Sequence, residues 1–255
     1  GSNGEMYFGN SQGLLVYDGY RWTLHKVPGN HIVRSVYVKE DRIYVGAFEE
    51  FGSFKYSEAG TLRYHSLSKF LKNFPMENNE IWNIVELDGR IYFQSFSAWF
   101  SYDGKMVRAF RNRQQQPLYF YTQNGHIYTQ MIDEDFYEFD GKDFHHLFPR
   151  SQVNDDNVVS LLPDGDDSFL MVTENNGLFR YNGDITPWKT DIDTELKKQR
   201  VNRAVMTNDS IFMIGTVLNG IYAIDRKGHC LWHFNLDNRL DNNTVLGLFC
   251  DKDNN

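Results

Sequence analysis

The chain has 255 residues, enough for one to two domains and a sizeable buried core. Aromatic residues make up 16% of it, with 15 Tyr, 20 Phe and 5 Trp, which excludes a disordered chain. Its 26 Lys and Arg against 34 Asp and Glu give a formal charge of -8, the wrong sign for a broad phosphate-binding footprint, so no nucleic-acid partner is expected of this segment.

From the N-terminus onward a short apolar strand recurs: Met6-Tyr7-Phe8, Ile43-Tyr44-Val45, Ile91-Tyr92-Phe93, Ile127-Tyr128-Thr129, Phe169-Leu170-Met171 and Ile211-Phe212-Met213. Middle residues at 7, 44, 92, 128, 170 and 212 are spaced about 41 apart, the period of a propeller blade. These middle positions are expected to be equivalent in successive units. About ten residues later a second strand ends in an aromatic-Asp-Gly-like turn: Tyr17-Asp18-Gly19, Tyr102-Asp103-Gly104, Phe139-Asp140-Gly141 and Tyr181-Asn182-Gly183. Such pairs point to two-residue hairpin turns. Looser copies run over 55–60 and 223–228, and a third strand follows, marked by Trp22, Tyr64, Phe144, Trp188 or Trp232. Ahead of the recurring strand come apolar stretches 33–38, 81–87, 158–162, 201–206 and 245–250, each ending in an acidic or Gly-containing turn such as Asn208-Asp209. Each unit therefore reads as four strands, and the one candidate helix is Asp193–Gln199.

Four-stranded units at this spacing predict an all-β propeller over 1–255 as a single domain, with a two-domain sandwich as the structural alternative. Six repeat units are present, five whole and one composite. The composite joins the second, third and fourth strands at the N-terminus to a lone first strand, 245–250, and 245–249 is expected to pair antiparallel with residues 5–9. Closure in this way gives six blades.

The run Tyr7-Phe8-Gly9-Asn10-Ser11-Gln12-Gly13-Leu14-Leu15-Val16-Tyr17-Asp18-Gly19-Tyr20-Arg21-Trp22 resembles the two-component regulator propeller repeat. Asn176-Gly177-Leu178-Phe179-Arg180-Tyr181-Asn182-Gly183 and Asn219-Gly220-Ile221-Tyr222 carry the same core, and residues 240–255 resemble the family's first strand with its acidic turn. Phe51-Gly52-Ser53-Phe54 and Ala98-Trp99-Phe100 depart from it by replacing Gly-Leu. The resemblance implies the extracytoplasmic sensor portion of a hybrid sensor kinase or related regulator, periplasmic, in a ring that usually has seven blades. It also implies recognition of a small molecule or oligosaccharide, and partners that include a second propeller or an immunoglobulin-like module of the same chain. A homodimer is a further expectation, and a membrane would be met only through segments outside these residues, since no run here approaches about 18 apolar residues.

Chemistry-bearing residues give little else. Cys230 and Cys250 read as buried thiols without zinc spacing. His145 and His146 are adjacent, so in a strand they point to opposite faces and cannot share a metal. Asp164-Gly165-Asp166-Asp167 and Asp251-Lys252-Asp253-Asn254-Asn255 mimic the start of a calcium loop but lack its closing Glu, and read as turns. Asp133-Glu134-Asp135 and Glu49-Glu50 read as solvated loops rather than a glycosidase pair. No nucleophile elbow is present, so no cofactor, metal or catalytic residue is expected and the chain reads as non-enzymatic. An interaction scaffold and a propeller lyase or glycosidase are the competing functions.

In a propeller, the loops entering the first strand and leaving the second surround one mouth of the channel. Here these loops carry Arg34, Phe48, Trp82, Phe96, Trp99, Glu134, Glu174 and Arg203. Aromatic faces beside polar forks suit pyranose rings, which offer C–H faces and hydroxyl edges. The same aromatics suit packing between blades.

Overall fold

The computed structural model describes residues 1, 3–111, 115–165, 168–208 and 210–251. Asp209, Asp166-Asp167 and the terminal 252–255 of the expected turns lie outside the described residues. The first sheet holds β1 (Met6–Asn10), β2 (Gly13–Tyr17) and β3 (Trp22–His25). The second holds β4 (Val33–Lys39), β5 (Arg42–Ala47), β6 (Phe51–Tyr56) and β7 (Leu62–Ser66), and the third β8 (Asn83–Leu87), β9 (Arg90–Gln94), β10 (Trp99–Tyr102) and β11 (Val107–Phe110). The fourth comprises β12 (Pro117–Gln123), β13 (His126–Met131), β14 (Phe136–Phe139) and β15 (Phe144–Phe148). The fifth has β16 (Val158–Pro163), β17 (Phe169–Thr173), β18 (Leu178–Tyr181) and β19 (Ile185–Trp188). The sixth has β20 (Val201–Met206), β21 (Phe212–Thr216), β22 (Ile221–Ile224) and β23 (Cys230–Phe234). Within each sheet the strands follow chain order. The expected helix, α1 (Asp193–Gln199), precedes β20. Two compact units result, residues 1–132 and 133–255.

Turn chemistry sets the hairpins, though not as two-residue turns. Four residues, Asp18-Gly19-Tyr20-Arg21, join β2 to β3, and Asp18 Oδ1 accepts the amides of Tyr20 and Arg21 at 2.8 and 2.7 Å. The Tyr17 hydroxyl closes the bend by donating to the Gly19 carbonyl at 2.7 Å. Asp103 holds the amides of Lys105 and Met106 in the same way, and Asp140 those of Lys142 and Asp143. Here the Asp side chain takes the part of a backbone carbonyl, and Gly follows because φ is +96° at Gly19 and +90° at Gly104. The amides of Arg21 and Tyr20 stabilise the Asp18 carboxylate and hold its pKa below the ordinary range, and those of Met106 and Lys105 do the same for Asp103.

Period-two alternation sends the side chains of a second strand to two faces, and in β5 these meet two neighbours. In β5, Ile43 and Val45 pack back onto Leu14 and Val16 of β2, while Tyr44 faces forward onto Ile91 and Phe93 of β9. In the second unit, Leu170 and Val172 of β17 pack forward against Phe212 and Ile214 of β21. Pairing registers align these strands: Tyr37 faces Tyr44 as Val205 faces Met213. Met213, rather than the expected Phe212, therefore stands at the place of Tyr44; Ile211, Phe212 and Met213 are all apolar, and the sequence offered no phase between them. A glycine confirms the alignment. A Cβ on Gly46 would lie 2.4 Å from Ile81 Cγ2, and one on Gly215 would lie 2.5 Å from Val245 Cγ1. Each bare backbone thus seats the aliphatic residue that begins the following repeat.

Val245 docks as that first-strand residue should, buried and donating its amide to the Thr216 carbonyl at 2.9 Å. The expected strand over 245–250 does not form, however, and the first sheet has three strands. One face of that sheet carries Met6, Phe8, Leu15, Tyr17, Trp22 and Leu24 in two cross-strand rows. Met6 and Phe8 are 46% and 37% exposed, whereas Ile43, Val45, Ile91 and Phe93 in the same places are at most 3%. β12 had no counterpart among the expected strands. Cys230 and Cys250 are free, and Cys230 is exposed rather than buried, because β23 is the last strand of its sheet.

Candidate functional site

A β-bulge at the start of the inner strand builds the loop end of each sheet. In β4, Val33 faces Ala47 and Ser35 faces Gly46, so Arg34 is the extra residue. Trp82 holds the corresponding place: its amide donates to the Gln94 carbonyl at 2.9 Å while Asn83 is the register partner of Gln94. Pairing in β12 jumps from Pro117–Met131 to Phe120–Thr129 and sets Leu118 and Tyr119 against one residue. The same shift frees Val159 in β16 and Asn202 in β20. Bulged residues leave the ladder and their side chains are re-aimed.

In residues 1–132 these positions meet. The Arg34 guanidinium carbon lies 4.8 Å from the Trp82 ring centroid, and Trp82 stacks on Phe96 at 5.7 Å and 22°. Phe96 in turn meets Tyr119 edge-on at 5.6 Å. Arg34 Nε donates to Glu80 Oε1 at 2.5 Å, and Phe48, whose backbone bridges Glu80, sits 5.6 Å from the His31 ring. The result is a run of rings with a polar fork at one end, half-buried except for the exposed Arg34.

Amides and hydroxyls hold this surface rigid. Asn79 Oδ1 accepts from the hydroxyls of Ser95 and Ser97 at 2.8 and 2.7 Å, fixing the hairpin that carries Phe96. Gln94 Nε2 donates to the carbonyls of Pro117 and Leu118, and Asn83 Nδ2 to that of Phe120, which pins the bulge around Tyr119. Glu49 Oε1 accepts the Asn78 amide. The buried Glu50 carboxylate accepts the hydroxyls of Tyr64, Ser66 and Ser68 at 3.1, 3.0 and 2.6 Å. Burial first, and then the Glu50 charge, push the Tyr64 hydroxyl pKa far up, so it stays a donor.

Of the eight candidate residues, Arg34, Phe48, Trp82 and Phe96 come together. Trp99 does not: it lies in β10, buried, stacked on Phe110 at 5.7 Å and edge-on to Phe120. It belongs to the packing between sheets. In residues 133–255, Glu174 accepts from Arg200 at 2.5 Å and from Asn157 at 3.0 Å, within a polar loop cluster. Arg203 lies within β20 rather than in the expected loop and donates to the Val159 carbonyl at 3.4 Å, and Glu134 is exposed between β13 and β14. Tyr119 and Glu80 were missed. Tyr119 sits in the Pro-Leu-Tyr-Phe-Tyr run, whose aromatic density was the available signal.

Several other ionisable residues singled out in the sequence are paired. His145 pairs with Asp140 and His146 with Asp135, on opposite faces of β15. Asp133 pairs with Arg150, and Asp164 with both Arg180 and Arg226. Among the described residues no three of His, Cys, Asp and Glu gather where a metal ion could be held.

No protein-family model matches this sequence, and no curated protein does so. Solved structures match well. The extracellular domain described as belonging to the hybrid two-component system BT4673 of B. thetaiotaomicron superposes with a TM-score of 0.75 at 18% identity, over 99% of this chain and 35% of that one. The WD40 beta propeller domain of Doa1 matches with a TM-score of 0.68 at 11% identity, over 96% and 82%. The fold is a β-propeller. Virginiamycin B lyase from Staphylococcus aureus shares it, with a TM-score of 0.60 at 12% identity over 91% of this chain and 73% of that one. This propeller chain spans about a third of the BT4673 domain. Among its described residues, no helix is long and apolar enough to cross a membrane.

Proposed function

We propose that this propeller is a non-enzymatic, extracytoplasmic ligand-sensing module of a two-component regulator, and that it recognises oligosaccharide. The observation that carries the reading is the run from Arg34 through Trp82 and Phe96 to Tyr119. It pairs ring edges with a hydroxyl-reading fork on rigid bulges, the combination that sugar rings require. Fold likeness to an extracellular domain of a hybrid two-component system supports the sensing role and the location. Engagement of the loop-end carboxylates supports binding over catalysis, since Glu50 is saturated by hydroxyls while Glu80 and Glu174 are paired with arginines.

A thermal-shift screen against oligosaccharides tests this reading. A ligand at a hundred times its dissociation constant adds about 2.7 kcal/mol to stability. The hit should lose affinity in Trp82→Ala and Phe96→Ala; unchanged affinity in both would remove the site, and glycoside turnover would remove the non-enzymatic assignment. A second reading, an interaction scaffold, is favoured by the apolar face of β1–β3, where Met6, Phe8, Trp22 and Leu24 are exposed together. Partner-dependent protection of Trp22 from fluorescence quenching would support it.

A further inference from the structure

We infer that the Arg34–Trp82 site selects neutral over anionic oligosaccharides, an inference that rests on the sugar-binding reading above. Among the described residues, Arg34 is the guanidinium seated on the Trp82 ring, and it is already paired. Its Nε donates to Glu80 Oε1, and the guanidinium lies over Trp82. Glu49, held by the Asn78 amide, adds a second carboxylate to the same loops, so Arg34 is outnumbered. Farther down the inner strands Lys39 is paired in turn with Glu86.

A uronate or sulfate is held most strongly by an uncompensated guanidinium or ammonium, because its oxygens only accept hydrogen bonds and a charged donor makes the stronger bond. Here such a group would displace Glu80 or lie beside it, at the cost of like-charge repulsion. A neutral sugar presents no such conflict. A guanidinium has five N–H donors, of which Arg34 spends one on Glu80. Among the described residues, neither the other four N–H groups nor Glu80 Oε2 makes a side-chain hydrogen bond. One hydroxyl of a vicinal diol can therefore accept from Arg34 while its neighbour donates to Glu80, with the rings of Phe96 and Tyr119 alongside. Only a group that both donates and accepts completes this fork.

Calorimetric titration of the 255-residue chain with neutral hexaoses (maltohexaose, cellohexaose, xylohexaose and mannohexaose) and with hexagalacturonate tests the inference. The best neutral hexaose should bind at least about tenfold tighter than the uronate at low ionic strength. Glu80→Gln should narrow that gap by about threefold or more, whereas Glu80→Asp, which keeps the charge, should preserve it. Unchanged melting temperatures would show both variants folded, and the wild-type comparison stands without them. Hexagalacturonate binding as tightly as the best neutral hexaose would overturn the selectivity and leave sugar binding intact. Binding of neither class would overturn the sugar reading and the selectivity together.

Discussion

Replacing Gly46 by Ala tests how consecutive blades are joined. Gly46 has an ordinary extended backbone, so the substitution relieves the entropic penalty of a strand-interior glycine, about 0.5–1 kcal/mol in favour of the variant. Against this, the new Cβ would sit 2.4 Å from both Ile81 Cγ2 and Ser35 Oγ, and 2.7 Å from Ile81 Cβ. Overpacking of this kind costs about 1–3 kcal/mol and outweighs that gain, leaving a net loss of up to about 2.5 kcal/mol. Ile81 is fully buried, and Ile81→Ala should cost about 2–5 kcal/mol by itself. Truncating Ile81 removes the Cγ2 that the new methyl strikes, so the double variant should be more stable than the sum of the single effects by about 1 kcal/mol. Urea unfolding followed by tryptophan fluorescence measures the cycle. Additivity within about 0.3 kcal/mol, or a Gly46→Ala variant more stable than the parent, would refute the close-approach argument. Gly215 with Val245, at 2.5 Å, repeats the experiment in residues 133–255.

Trp99→Ala should cost about 3–5 kcal/mol as a buried core truncation, and the half-buried Trp82→Ala clearly less, so melting temperatures of the two variants should separate the packing tryptophan from the surface one. Glu50→Ala strands three hydroxyl donors and should destabilise by about 2 kcal/mol or more in denaturant titration, whereas Glu50→Gln, which keeps an acceptor oxygen, should cost less. The pKa values of Asp18 and Asp103 are lowered in the fold, chiefly by backbone amides. Their stabilisation is thus present above the unfolded aspartate pKa, about 3.9, and is lost as pH falls through their lower folded values. Urea midpoints should accordingly drop below about pH 4, with a shallower slope when both residues are Asn.

Much of the fold was legible because its punctuation is chemical. Asp-Gly after an aromatic residue marks hairpins at Tyr17, Tyr102 and Phe139, and the acidic turns bound the inner strands. What escaped notice depended on hydrogen-bond phase. Nothing in Ile211-Phe212-Met213 shows which residue faces forward; that is fixed by the register of β20 with β21 and by Gly215 beneath Val245. Trp99 looked like a mouth residue because it closes the 95–99 loop, but β10 begins at Trp99 and buries it. Tyr119 escaped because β12 itself was not recognised, and a bulge has no signature in residue type. Arg34, Trp82 and Phe96 were found because loop position alone places them together.

The bulges also separate what this scaffold is from what it touches. A paired residue in β5 or β9 is packed against a neighbouring sheet, and changing it disturbs that core. Arg34, Trp82, Val159 and Asn202 stand outside the register while the frame beneath keeps its phase. They already span a cation, an indole, an aliphatic group and an amide on one recurring backbone shape. A library randomised at Arg34 and Trp82, which lie outside the buried core, would vary recognition while leaving the fold's vocabulary of turns and glycines untouched.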